Sequence, residues 1–338
     1  MTEQRVGVES VSLEQAGDLK ADLLRLVPGP LRSCGQAVTA HTRAEYWLEE
    51  IRADLESPGS QLLLARPRGR TAGLAVVADL AWESRVLGRR MKGIRHLAAA
   101  GAAAERAPVL DRLVHEAVRR AEEEGVECLV HRCPADDVPA IHALERRGFL
   151  LMDTLMDYVV NLETAGRSFT MPLPPAGTRI RLAVPGDLDG LVDVSRRAFA
   201  GHFGRFHADE RIPPEDAARV YEEWIRSCME GWADWILVAD AGGKVAGYTA
   251  WKKPSSLETR LGIELAHFSI GAVAPENSAS GLFGAMTGAG MRLMMDHAAR
   301  RIDGPMHASQ IPVQRAFASL GWRVAGARHA FHRWSKPA

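Results

Sequence analysis

The chain repeats itself, and this constrains its fold more than any other feature. Ala16-Gly17-Asp18-Leu19 is echoed by Pro185-Gly186-Asp187-Leu188. Leu62-Leu63-Leu64-Ala65 with Gly69 to Leu74 is echoed by Ile236-Leu237-Val238-Ala239 with Gly243 to Tyr248. Ala143 to Phe149 is echoed by Ala316 to Trp322. The offsets are 169, 174 and 173 residues. A nearly constant offset over three separate blocks means two copies of one fold unit. In 338 residues each copy has room for its own core. Residues 164–177 hold Pro172, Pro174, Pro175 and two glycines, the composition of a linker. The expected division is therefore a first domain over 1–163, a linker over 164–177 and a second domain over 178–338.

The second copy reads clearly. Arg179–Ala183 alternates as a strand. Asp187 caps a helix reaching about Phe199. Pro214, with Glu215 and Asp216 behind it, opens a second helix reaching about Glu230. Trp235–Ala239 and Val245–Trp251 are strands joined by the turn Asp240-Ala241-Gly242-Gly243. Leu265–Val273 is a strand, and Leu282 to about Arg301 a helix. Met306–Gln310 is a strand, Pro312–Leu320 a helix and Trp322–Trp334 a hairpin. The order β-α-α-β-β-β-α-β-α-β-β predicts an α/β fold, a mixed and mostly antiparallel sheet flanked by helices.

Composition narrows the function. Charged residues make up 25% of the chain and the formal net charge is zero, so no nucleic-acid partner is expected. No apolar run reaches the length of a membrane span, and the first residues lack a leader pattern, so a cytoplasmic protein is expected. Cys34, Cys128, Cys133 and Cys228 show neither disulfide nor metal-ligand spacing, so free thiols and no metal are expected.

Three stretches resemble the GNAT N-acyltransferase superfamily, and within it the dTDP-fucosamine acetyltransferase-like group. They are Leu80 to Ser84 with Gly88-Arg89-Arg90, Arg205 to Asp209 with Ile212-Pro213-Pro214 and Tyr221 to Ile225, and Asp153 to Tyr158. The resemblance implies two tandem GNAT-like domains, of which the second is the catalytic one. It also implies acetyl-CoA or another acyl-CoA as cosubstrate and an amine as acceptor. Such a donor needs backbone N–H groups at a helix N-terminus for its diphosphate and an open strand edge for its pantetheine arm. Val273, Ser278, Ala279, Ser280, Gly281, Leu282 and Phe283 are the candidates, with Gln310 and Phe317 beside the arm. Gly281 matches the first glycine of the family's loop. Ser278 stands where Gln or Arg is usual, and Phe283 where a small residue is usual. A phenyl ring there is expected to crowd a diphosphate. Gly271 suggests a bulge or close approach in the strand. In the first copy the matching region, Ala98 to Pro108, is alanine-rich and shows no phosphate cradle.

An amine must lose a proton to attack a thioester. Glu264 and His267, on the strand before the loop, are the candidate bases. The family's frequent tyrosine acid falls on Phe317, so His307, Ser309 or a water is the substitute. His202, Phe203, Arg205, Phe206 and His207 border the acceptor in relatives. Three readings stay open. One is transfer from acyl-CoA to an amine of a small metabolite such as an amino sugar or natural-product intermediate. A second is the same transfer from phosphopantetheine on an acyl carrier protein in secondary metabolism, with aminoacyl-tRNA a remoter donor. The third is a non-catalytic tandem binding protein.

Overall fold

The computed structural model describes residues 7–168, 172–297 and 299–335. In chain order the first half runs β1 (Val8–Val11), α1 (Leu19–Leu23), β2 (Leu26–Val27), α2 (Ala40–Glu56), β3 (Gln61–Ala65), β4 (Gly73–Asp79) and α3 (Ala81–Leu87). It continues β5 (Met91–Ala100), α4 (Ala103–Glu123), β6 (Cys128–Pro134), α5 (Val138–Arg146), β7 (Leu150–Asn161) and α6 (Leu162–Ser168). The second half runs β8 (Thr178–Leu182), α7 (Leu188–Phe199), α8 (Pro214–Ser227), β9 (Trp235–Ala241), β10 (Lys244–Lys252) and α9 (Ser256–Arg260). It ends with β11 (Leu265–Val273), α10 (Leu282–Asp296), β12 (Arg301–His307), α11 (Ile311–Ser319) and β13 (Arg323–Trp334).

The chain divides into two compact units, and neither is a single stretch of sequence. Among the described residues the first comprises residues 7–32, Ala37–Thr154 and residues 327–335. The second comprises Ser33–Gln36 and Leu155–Gly326.

In the first unit the strands lie in the order β1-β3-β4-β5-β6-β13. Only β5 and β6 are parallel, joined through the crossover helix α4. α4 buries Val109, Leu110, Leu113, Val114 and Ala117 against Leu63, Ala75 and Leu97 of the sheet. The other face is covered by α2, whose buried Ala44, Trp47, Leu48 and Ile51 follow the spacing of one helical stripe. Thr39 caps that helix through its side chain, which accepts from the Thr42 N–H.

The second unit repeats the plan as β8-β9-β10-β11-β12-β7. Here β11 and β12 are the parallel pair, with α10 as the crossover. α10 packs Leu282 and Met286 on Ala239 and Ala246, and Met291 and Met294 in a cluster with Trp251 and Phe268. Gly290 lets the helix approach, since a Cβ there would meet the Trp251 indole. On the other helical pair, Ser195 of α7 donates to the Tyr221 carbonyl of α8 at 3.0 Å.

The sixth strand of each sheet comes from the far half of the sequence. Residues 155–161 of β7 pair with β12, and residues 328–334 of β13 pair with β6. Both units also carry a strand irregularity at matching places, opposite Val76/Val77 in one and Ala250/Trp251 in the other. The extra residues are Arg95 and Ser269, 174 positions apart.

Three sequence expectations give way here, one being the strand expected over Met306–Gln310, which lies at Arg301–His307. The helix expected to reach Arg301 ends at Asp296, and Arg301 already begins β12. Pairing on both edges of β12 overrides the helix preference of the preceding Ala-Arg run. The hairpin expected over Trp322–Trp334 is one strand of 12 residues. Gly326 is not its turn: a Cβ there would sit 2.6 Å from the Ser33 hydroxyl, so glycine permits a close approach. The expected linker falls partly on residues 169–171, outside the described residues. Among the described residues no helix is long and apolar enough to cross a membrane. All four cysteines are buried and free, and burial pushes Cys133 and Cys228 up to about 12.

Candidate active site

In the second unit β11 and β12 pair only from Leu265–His267 to Arg301–Asp303. Beyond the extra residue Ser269 the two parallel strands diverge, and the edge of β11 from Ser269 to Val273 faces the gap. β11 then gives way to eight residues, 274–281, before α10 begins at Leu282. Two of them adopt the left-handed region: Ala279 at φ 61° and Gly281 at φ 80°. Gly281 is the N-cap, and its conformation suits glycine because a side chain costs about 1–2 kcal/mol there. The Ser280 hydroxyl accepts from the Leu282 N–H at 3.3 Å. By helix geometry the N–H groups of Phe283 and Gly284 have no acceptor within α10. The result is an exposed loop of small residues feeding a helix N-terminus, which is the form of an anion cradle. The one carboxylate on it, Glu276, is paired with Arg197 at 2.7 Å.

The Phe283 ring does not crowd this loop, which corrects the sequence expectation. It turns inward, stacking on Phe317 (centroids 6.1 Å apart, 23° between planes) and meeting Phe268 edge-on at 6.2 Å. Gly271 makes the room: a Cβ there would lie 2.9 Å from Phe268 Cζ and 3.2 Å from Phe283 Cε2. The bulge that Gly271 suggested lies two residues earlier, at Ser269. Phe317 is fully buried and stacks on Trp322, while Leu282 is a core residue.

At the open end of the strand pair, side chains from three segments converge. Gln310, the N-cap of α11, lies 3.1 Å from His202 Nδ1 through its Nε2. His202 stands edge-on to Phe199, Tyr221, His207 and His307, with centroids 5.1–6.0 Å away. Phe203, 56% exposed, stands edge-on to His307 at 5.8 Å. His307 Nδ1 receives the Ser309 N–H at 3.1 Å and lies 2.6 Å from Ser309 Oγ. A backbone N–H can only donate, so that nitrogen is an acceptor and the hydroxyl proton points at it. His207 stacks on Tyr221, and burial lowers its pKa. Arg205 lies over the Phe206 ring at 4.3 Å, and Phe206 is buried. Tyr221 and Phe199, stacked at 4.2 Å, form the centre of this cluster; the sequence marks Tyr221 as the start of a matching stretch but neither ring as a site residue. Nothing in a helical repeat announces that Tyr221 meets a histidine 19 positions away.

Glu264 and His267 sit at the closed end instead. Glu264 pairs with Arg300 at 2.9 Å. His267 is gripped by Asp303 at 2.7 Å through Nδ1 and by Glu258 at 3.0 Å through Nε2. Burial opposes its charge, but the bonds and attraction of Asp303 and Glu258 outweigh it and lift the imidazole to about 10. Such a group is a cation at neutral pH and has no free nitrogen to receive a proton. His267→Ala strands Glu258, 3% exposed, without its cation, and is expected to cost about 3–5 kcal/mol in a denaturant titration. The pH dependence has a definite sign. The raised histidine stabilises fully below its ordinary value near 6.5, and that contribution is lost as pH climbs through about 10. Unfolding midpoints measured from pH 6 to 10 should fall in the wild type and stay flatter in His267→Ala. Among the described residues no cluster of His, Cys, Asp or Glu is placed to hold a metal ion.

No family profile matches the chain. The spore coat polysaccharide biosynthesis protein SpsD of Bacillus subtilis is 24% identical over 205 residues, 60% of this chain and 66% of that protein. A mycothiol acetyltransferase of Pseudarthrobacter chlorophenolicus is 29% identical over 220 residues, 63% of this chain and 62% of that protein. The chain thus spans less than two thirds of these relatives. Solved structures match over nearly all of it. A GCN5-related N-acetyltransferase from Sphaerobacter thermophilus has a TM-score of 0.67 at 15% identity, covering 99% of this chain and 97% of its own. A tandem GNAT protein from the clavulanic acid biosynthesis pathway has a TM-score of 0.58 at 15% identity, covering 98% and 100%. The chain has the fold of the GCN5-related N-acetyltransferases, present twice in tandem.

Proposed function

We propose that the second unit is an N-acyltransferase that moves an acyl group from acyl-CoA to the amine of a small metabolite, an amino sugar being the first class to try. The observation that carries this is the diverging strand pair that opens beside a left-handed loop and a helix N-terminus whose N-cap, Gly281, has no side chain. The Phe283 and Gly284 amides at the helix start suit the diphosphate, and the free edge of β11 suits the pantetheine amides. The inward Phe283 ring leaves the loop side clear, which favours CoA over a carrier-protein donor. Relatives in polysaccharide and mycothiol pathways, and the clavulanic acid tandem GNAT structure, support a small-molecule acceptor.

The chemistry follows from the open end of the slot. The amine nitrogen attacks the thioester carbonyl carbon, the C–S bond breaks and the thiolate leaves with the electron pair. The amine proton passes to Ser309 Oγ, whose own proton passes to His307 Nδ1 along the 2.6 Å contact. The thiolate needs no tyrosine in place of Phe317, because a thiol near pKa ~8.5 is a tolerable leaving group. Gln310 and His202 hold the wall against which the acceptor rests. Exposed Phe203, with His202 and His207 beside it and buried Tyr221 behind them, gives that wall an aromatic surface suited to the flat face of a sugar ring.

Thermal unfolding with acetyl-CoA beside acetyl-pantetheine tests the donor reading. Acetyl-CoA at a hundredfold over Kd should add about 2.7 kcal/mol of stability. A shift with the pantetheine compound alone would move the donor to a carrier protein. No shift with either would favour a non-catalytic protein. Ser309→Ala should lower kcat/KM by about 10²-fold while leaving the acetyl-CoA shift intact; unchanged turnover would remove Ser309 from the proton path.

A further inference from the structure

The first unit has the same diverging strand pair, yet the chain itself takes up each surface that a thioester donor would use there. β5 and β6 pair from Met91–Cys128 to Ile94–His131 and then separate past the extra residue Arg95. The edge that β6 leaves does not stay open. β2 pairs with it antiparallel, Leu26 opposite Ala100 and Val27 opposite Ala99. In the second unit the equivalent positions, 174 residues on, are Val273 and Ala274 at the end of the free edge. A short peptide strand thus stands in the first unit where a pantetheine arm would pair. Leu26 is 3% exposed and belongs to the core beneath α2, so this strand is anchored.

The anion cradle is also absent. Only Gly101 and Ala102 separate β5 from α4, against eight residues in the second unit. The start of α4 already carries an anion, because Glu105 Oε2 accepts from the Ala102 N–H at 2.8 Å. A diphosphate approaching that turn would meet a carboxylate in the place it needs. One step further, Arg106 of α4 grips both oxygens of Asp137, the N-cap of α5, at 2.8 and 2.7 Å. That pair is nearly buried and ties together the two helices that follow the separating strands. The second unit has neutral Gln310 at the position of Asp137, 173 residues on.

We propose that the thioester slot of the first unit is permanently filled from within, by β2, Glu105 and the Arg106–Asp137 pair, so that each chain holds one donor and not two. The proposal relies on the reading of the second unit only for the choice of probe. Calorimetry and hydrogen exchange of the full chain, with and without acetyl-CoA, test it together. The expected result is one equivalent bound, new protection at Ser278–Gly284, and none at Ala98–Arg106. Without ligand, Leu26–Val27 and Ala99–Ala100 should already exchange slowly. Two equivalents, ligand-dependent protection at Ala98–Arg106, or fast exchange of β2 without ligand would each overturn the proposal. If no acetyl-CoA binds while β2 is protected, the donor reading of the second unit falls and the filled slot stands.

Discussion

Gly281→Asp is expected to lower kcat/KM for acetyl-CoA by about three orders of magnitude in a protein that still folds. The argument rests on conformation and charge. Gly281 sits at φ 80°, and nothing lies within 4 Å of where a Cβ would be. A side chain therefore meets strain of about 1–2 kcal/mol and no clash, which an intact unit tolerates. The new carboxylate would stand at the helix start beside the diphosphate. Two like charges about 4 Å apart near a protein surface repel by about 4 kcal/mol, close to a thousandfold in affinity. Gly281→Asn separates the causes, because asparagine tolerates the left-handed region and adds no charge. It should stay within about tenfold of wild type. Equal losses in the two variants would show that conformation and not an anion is at stake.

Ending the chain after Gly326 is expected to unfold the first unit although the deletion lies at the far end of the sequence. Residues 328–334 pair along β6 from Pro134 to Cys128, and Phe331, 2% exposed, packs in the cluster around α4. Emptying one buried phenylalanine site costs about 3–5 kcal/mol, and a domain holds about 5–15 kcal/mol in all. Losing the whole strand removes that side chain, its neighbours and the pairing of β6. Hydrogen exchange should show fast exchange through β3, β4, β5 and β6, with slow exchange kept in β9, β10 and β11. Uniform protection in both would contradict the assignment of the C-terminal strand to the first unit. The same reasoning predicts that a fragment beginning at residue 178 lacks the strand that pairs with β12, since residues 155–161 supply it.

The repeat made the fold legible. Three blocks at nearly the same offset point to two copies, and strand periodicity with turn glycines places most elements of the second. The exchange of β7 and β13 was not legible, because alternation marks a strand but says nothing of which neighbour it pairs with. Gly326 illustrates the limit: in sequence it is a turn signal, and in space it admits the Ser33 hydroxyl. Within the candidate site, the loop at Gly281 was legible through its resemblance to the family's motif, and its place before a helix is a local feature. The direction of the Phe283 ring was not, because it depends on Gly271 and Phe317 from other elements. His267 shows the same divide. Its place on the strand suggested a base, while its two carboxylate partners lie 9 and 36 positions away and hold it as a cation. From sequence His307 and Ser309 are separate alternatives for a missing acid, and the structure brings them together. Their geometry suits a path for the amine proton.

The central claim is that the second unit joins an acyl group to an amine. The measurement that addresses it most directly is mass-spectrometric detection of N-acetylated products. Isotope-labelled acetyl-CoA would be offered with a panel of amino sugars, amino acids and simple amines. The predicted result is at least one amide carrying the label, with one free CoA thiol released per amide and both lost in Gly281→Asp. A folded protein that binds acetyl-CoA yet yields no labelled amide from any amine would contradict the claim.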